Sequence, residues 1–365
     1  MIWLQSLLRR LSAPGSVGAA LAAEAAGEDL PCGSHQTPEA PALQPSAKAH
    51  FLDYPEARRR LRQMELGLDD RASTDIQDRA HEQIVTAALA AISDPAAQKN
   101  YFPRRPNLLP ELMHAINDES MSARQLVAIV ARDPALVGSL LKVANSSFYR
   151  LSPQPIESIE RAIVVLGNDG LRSVTAAALM QPIFQVSRAG AAPRFPELVW
   201  EHAIRSAHAA IPHAALVERA NQFAAELLSL ISGLAEIALF RAVIEHCTPS
   251  SEQDEIDPLV IASILDADSA AFAWHIGADW RLSAEMLAAL EEQIASSSQP
   301  KTPLGRSLRF GRHAGALAVL HTNSIISDAT LRGSLPPSGL SPAHLDLMLT
   351  RLLRPHDDPR MRARA

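Results

Sequence analysis

The sequence is poor in cysteine, in aromatic residues and in alternating apolar–polar runs, and each shortage removes a class of structure. Two cysteines, Cys32 and Cys247, stand far apart in a chain of 365 residues. With Cys32 in a Pro/Gly-rich stretch, neither a disulfide framework nor a thiolate metal site is expected, and a reducing cytoplasm fits. Aromatic residues make up 4% of the chain, so the core must be built from Leu, Ile, Val and Ala, side chains that suit close helix packing. No stretch alternates long enough to make a sheet, and no repeat of fixed period is visible. P-loop, nucleophile-elbow and dinucleotide-binding patterns are missing, as is any pair of histidines at i, i+4. The longest apolar run, Phe223 to Ile244, is interrupted by Glu226, Glu236 and Arg241 and reads as a buried helix pair, not a membrane span. The start, MIWLQSLLRRL, is apolar before it is basic, the reverse of a signal peptide. The net charge of −6 gives a field that attracts neither DNA nor an anionic membrane.

What the chain does have is helical signal. Hydrophobic residues make up 47% and charged residues 20%, an ordinary globular balance with ample apolar mass for a core. Residues 1–12 can form a short amphipathic helix, and 13–50, with prolines at 14, 31, 38, 41 and 45, read as a flexible linker. A lead-in of two helices is expected over 51–102. The first starts near Pro55, and its arginines Arg58, Arg59, Arg60 and Arg62 read as a solvated face. Pro110 can start a helix through Ile116. Ser122 has capping-box spacing to Gln125, with Leu126, Ile129 and Val130 facing inward. Asp133-Pro134 is a helix start, and Asn145-Ser146 fits a helix end with Phe148 and Tyr149 plugging the core beside it. Ser158 can cap the helix from Ile159, and Gly167 can stop it in a left-handed turn. A connector follows over 187–197. Further helices are expected over about 198–247, 257–274, 283–296 and 307–330, and a last one from Ser341-Pro342 to Leu353. The basic tail from Arg351 to Arg364 reads as a dangling charged end.

Four strings, in order and at consistent spacing, resemble the HDOD family between Pro103 and about Ala329: LPELMHAIND at 109–118, ARDPALVGSLLKVANSSFYRL at 131–151, PIESIERAIVVLGNDGLRSV at 155–174 and VWEHAIRSAHAA at 199–210. The residues that carry the match, and read as structural, are Asp133, Pro134, Asn145, Ser146, Tyr149, Gly167 and Trp200. The resemblance implies an all-α, two-lobed helical bundle: an HDOD domain over 103–330 with lobe one at 103–190 and a lobe at 196–330 like the HD phosphohydrolases, followed by a C-terminal helix and tail at 331–365.

In the HD enzymes that the resemblance brings in, histidines and aspartates from several helices hold metals that activate water. The stretch LLSLISGLAEIALF at 227–240 matches the helix that would carry the adjacent His-Asp pair, and the two positions are Ser232 and Gly233. Serine is a poor ligand and glycine has none to offer. His202 matches the first ligand position and stands alone. AALEEQ at 288–293 replaces the region of further histidines, and Glu291 and Glu292 read as surface charge. On a straight helix His208 is turned about 240° from His202, and His213 about 140° from His208. Pro212 is expected to break that helix between the last two. No metal, cofactor or catalytic residue is therefore expected. The reading is a cytoplasmic, non-catalytic bacterial regulatory module that binds other signalling proteins, without nucleic acid and without a membrane span. Two alternatives stand beside it. One is a nucleotide or cyclic-dinucleotide sensor using Arg161 and Arg172. The other is a divergent metal-dependent phosphohydrolase using His202 with Asp266 and Asp268.

Overall fold

The computed structural model describes residues 51–68, 111, 122–132, 134–146, 149, 154–180, 192–246, 258–294 and 299–354. All of them fall in one compact unit, 49–365. The expected N-terminal helix and linker, the second lead-in helix, the helix from Pro110, Asp133, Phe148, both cysteines and the basic tail beyond residue 354 lie outside the described residues, as do the side chains of Pro134 and Arg172.

Among the described residues every regular element is a helix, and each start has a local cause. Helix α1, Tyr54–Leu66, begins at Asp53, whose carboxylate accepts the Glu56 amide, with Pro55 in the first turn and Gly67 ending it in a left-handed conformation. Helix α2, Ala123–Val130, opens on the capping box of Ser122 and Gln125 and buries Leu126 and Val130. Helix α3, Pro134–Ala144, is followed by Asn145 and Ser146, and Tyr149 is buried after them. Helix α4, Ile159–Met180, is capped by the Ser158 hydroxyl, which accepts the Arg161 amide. It is broken at Gly167, where φ is 67° and ψ −173°. The first helical stretch ends at Gly167 as expected, but in a region essentially confined to glycine rather than the left-handed helical one, and a second stretch follows across the kink.

Helix α5, Phe195–His213, is the hub. It runs through Pro212 instead of breaking there, and passes into a π turn at Ala214–Glu218. Proline in the final turn removes one amide bond, and the wider π turn takes up the displaced chain. Helix α6, Gln222–His246, is a single helix of 25 residues and not the expected pair. It is followed by α7, Pro258–Asp279, and α8, Ala284–Ile294. Helix α9, Pro303–Thr322, is capped by Thr302; α10, Asp328–Ser334, is capped by Ser327; and α11, Pro342–Leu352, is capped by Ser341. Helix α5 lies against α9 on one side and α6 on the other, α6 also meets α7 and α4, and α3 packs on α4. Helix α1 sits against α9, α7 and α5. Its Ala57 and Leu61, with Leu52 just before it, join Leu317, Leu320, Met348 and Leu352 in one apolar cluster. By length and composition α6 and α7 pass for membrane-crossing helices, contrary to the sequence expectation, but 89% of the α6 window is buried inside the fold, as for a core helix.

Candidate functional site

The positions matching an HD pair lie mid-way along α6, facing α5. Gly233 is there because nothing larger fits. A Cβ at 233 would stand 2.4 Å from the Ala203 Cβ on α5, far inside van der Waals contact. Ser232 is buried and its hydroxyl donates back to the Leu228 carbonyl at 2.9 Å, spending its proton on its own helix. One turn further, Glu236 is buried and receives three guanidinium groups: Arg58 at 3.0 Å, Arg62 at 3.1 Å and Arg312 at 3.0 Å. Arg62 also holds Glu65 at 2.7 Å and Asp266 at 3.1 Å. Burial pushes the Glu236 carboxyl up, but Arg58, Arg62 and Arg312 together hold it well below the usual carboxylate range. Burial and the nearby Glu236 push Glu65 up, against the pull of Arg62.

His202, on α5, completes the cluster. Its Nε2 lies 3.0 Å from the Arg312 carbonyl and its Nδ1 3.4 Å from the Arg58 guanidinium. The bond to a carbonyl requires a proton on Nε2, so Nδ1 is the acceptor for arginine. Burial, and then Arg58, push its pKa down to about 3, so the ring is neutral. Both nitrogens are spent.

Two expectations are corrected here. The arginines of α1 do not form a solvated face: Arg59 and Arg60 pair with Glu56 toward solvent, whereas Arg58 is largely buried and Arg62 is fully so. The spacing i, i+4 puts Arg58 and Arg62 on the same inward face. Glu292 is likewise not simple surface charge, because it accepts the Lys301 and Thr302 amides and the Thr302 hydroxyl, fixing the turn into α9. Glu291 is exposed.

The donor set does not fit a divalent metal. Glu236 is neutralised by three cations, His202 has no free lone pair, Ser232 bonds its own helix, and no three His, Cys, Asp or Glu side chains among the described residues converge on one point. Asp266 pairs with Arg62 while Asp268, on the same helix, is buried and pushed up to about 6 by that burial. His213 meets the Ser307 hydroxyl at 3.1 Å and stacks on Phe310, and His313 meets the Leu52 carbonyl at 3.1 Å. Trp200 is half-buried on α5 and Arg161 is exposed on α4.

The family motif residues act locally. Asn145 donates to the Leu141 and Ile156 carbonyls and accepts the Ile156 amide, pinning the loop between α3 and α4. Ser146 bonds the Val143 carbonyl. Sequence reading missed Arg58, Arg62, Arg312 and Glu236 as a unit. The one available signal was the pair of acids inside the apolar run of α6, since a charge in such a helix demands a partner.

The HDOD domain model matches residues 102–295, and the chain belongs to the HDOD family. No curated protein matches it. Among solved structures, an HDOD domain protein with unknown function from Geobacter sulfurreducens is 17% identical over 74% of this chain and 96% of its own, with a TM-score of 0.49. A Shewanella amazonensis protein provisionally named a metal-dependent phosphohydrolase is 17% identical over 76% and 99%, with a TM-score of 0.48. A Marinobacter aquaeolei protein provisionally named for signal transduction is 19% identical over 79% and 66%, with a TM-score of 0.47. Helix α1, which supplies two of the three arginines, lies outside the matched segment.

Proposed function

We propose that this chain is a non-catalytic regulatory module of the cytoplasm that acts by binding other signalling proteins. One observation carries the reading: at the place where an HD hydrolase would gather metal, Glu236 is held by Arg58, Arg62 and Arg312 and Gly233 is pressed against Ala203. A water-activating centre needs open coordination and free ligands, and these residues are occupied with one another. The polar centre is closed on itself by ion pairs, and a body of this kind recognises partners through its surface. Elemental analysis of the purified full chain, together with assays on phosphodiester substrates in manganese and iron, tests the proposal. The expected result is sub-stoichiometric metal and no turnover above buffer. Stoichiometric metal with turnover lost in His202→Ala overturns it.

A further inference from the structure

Another buried acid lies between α6 and α4, and among the described residues no cation pairs with it. Glu226, near the start of α6, is 3% exposed. It faces α4 and the chain after α3. The Ser173 hydroxyl donates to its carboxyl, and the Tyr149 phenol lies beside it. From α5, His208 meets the Tyr149 ring edge-on at 5.2 Å. His208 is itself kept neutral, by burial and then by Arg351, Arg205 and Arg354, which push its pKa down to about 4. Tyr149 is pushed up by burial and by Glu226. Among the described residues, then, the groups facing Glu226 from the neighbouring elements are two hydroxyls and, beyond them, a neutral imidazole. The contrast with Glu236, ten residues along the same helix and ringed by arginines, shows that this acid is not built to stay charged.

We infer that the joint between α4 and α6 is operated by a proton: with Glu226 neutral, its carboxyl sits in the apolar contact bonded to Ser173, and loss of that proton puts a charge there that a single hydroxyl only partly compensates, which loosens α4 from α6. A carboxylic acid in this place can accept from Ser173 and donate to a neighbouring oxygen, whereas a carboxylate is left in an apolar surround with a single bonded hydroxyl. Burial pushes the Glu226 carboxyl up to about 7, which places the change near neutrality. The group has an ordinary value of 4.5 when exposed. Opening of the joint therefore becomes easier as pH rises through about 7, by about tenfold between pH 6 and pH 8.

Hydrogen exchange of the full chain at pH 6, 7 and 8, corrected for intrinsic rates, tests this. Protection of peptides covering 171–180 and 222–230 is expected to fall about tenfold over that range, while 304–320 in α9 holds constant. Glu226→Gln, which stays neutral, is expected to abolish the fall. Flat protection in the unsubstituted chain, or the same fall in Glu226→Gln, overturns the inference. If Glu226→Gln does not fold, Ser173→Ala serves instead: removing the hydroxyl that donates to the carboxyl and stabilises its charged form must move the pH dependence upward, and an unmoved dependence is equally fatal.

Discussion

Arg62 and Glu236 stand 174 residues apart in sequence and 3.1 Å apart in the fold. The pair joins a helix outside the matched HDOD segment to the helix that would carry an HD motif, and it does so in the protein interior. A buried ion pair has to offset the desolvation of both charges, and here the offset is shared among several partners. Removing the central acid is therefore severe. Glu236→Ala is expected to lower stability by about 3–5 kcal/mol, because three guanidinium groups lose their common anion. Asp266→Asn touches the same Arg62, but the Asp266 side chain is 53% exposed, so its loss is expected to cost under about 1 kcal/mol. Urea denaturation of both variants distinguishes a network centred on Glu236 from one spread evenly over its members.

Gly233 makes a separate prediction about the position that the resemblance aligns with an HD pair. Placing ligands there, as Ser232→His with Gly233→Asp, is expected not to create a metal site. The 2.4 Å approach to Ala203 leaves no room even for a Cβ, and the nearest atoms are a side-chain methyl and the backbone of α5, which yield only if the helices part. Gly233→Ala alone is expected to cost about 1–3 kcal/mol by overpacking. Thermal melts read the cost, and metal titration of the double variant reads the site. Tight stoichiometric metal in a well-folded double variant would show that the helix pair can reopen.

His202 predicts an acid-sensitive contribution at the arginine cluster, opposite in sign to the joint at Glu226 and to Glu65, whose raised carboxyl favours the fold as pH falls. His202 has its folded pKa at about 3 against an ordinary 6.5. The unfolded chain therefore takes the proton first, and stability, full above pH 6.5, falls as pH drops toward 3 by about 1.4 kcal/mol per unit for each such group. His208, at about 4, adds to the same slope. Glu236, held below its ordinary value of 4.5, adds a further loss below that pH. His202→Gln can keep a donor toward the Arg312 carbonyl without titrating. Denaturation curves at pH 7, 6, 5 and 4 should show its slope shallower by about one proton between pH 6 and 4. An unchanged slope would mean that His202 is not neutral in the folded chain.

Much of the scaffold is legible in the sequence because its signals are local. Ser122 with Gln125, Ser158 and Ser341 with Pro342 all act within a few residues of themselves and cap what their spacing predicts, while Asn145 closes its loop by reaching on to Ile156. The all-α class follows from the absence of alternation, and the family from motifs in order. The polar centre is another matter. Arg58 and Arg62 look like any basic helix face until α1 is placed, and its place is set by Leu52, Ala57 and Leu61 packing on residues more than 200 positions away. Gly233 reads in the sequence as a position with no side chain to offer a metal, but nothing there shows that Ala203 packs against it. Pro212 misleads for a related reason: its cost is met by a π turn, whose sequence carries no mark.

Asn145 offers the sharpest test of whether a family motif residue works as structure. It makes three bonds: its amide donates to the Leu141 carbonyl at 2.9 Å and the Ile156 carbonyl at 2.7 Å, and its carbonyl accepts the Ile156 amide at 2.7 Å. The pairing with Ile156 copies a strand-like exchange with a side chain, and it fixes the course of the chain between α3 and α4. Asn145→Ala removes all three and is expected to cost about 1–3 kcal/mol, since partly buried backbone groups lose their partners. Asn145→Asp is the same size and keeps the acceptor, yet it loses both donors and turns a carboxylate on two carbonyls, so it is expected to be at least as damaging. Ser146→Ala removes a single bond to the Val143 carbonyl and should cost under about 1 kcal/mol. The order Asp at or beyond Ala, with both well beyond the Ser146 variant, is what a hydrogen-bonded clamp requires. Were Asn145 instead reserved for a partner's surface, both of its variants would melt with the unsubstituted chain and fail only in binding.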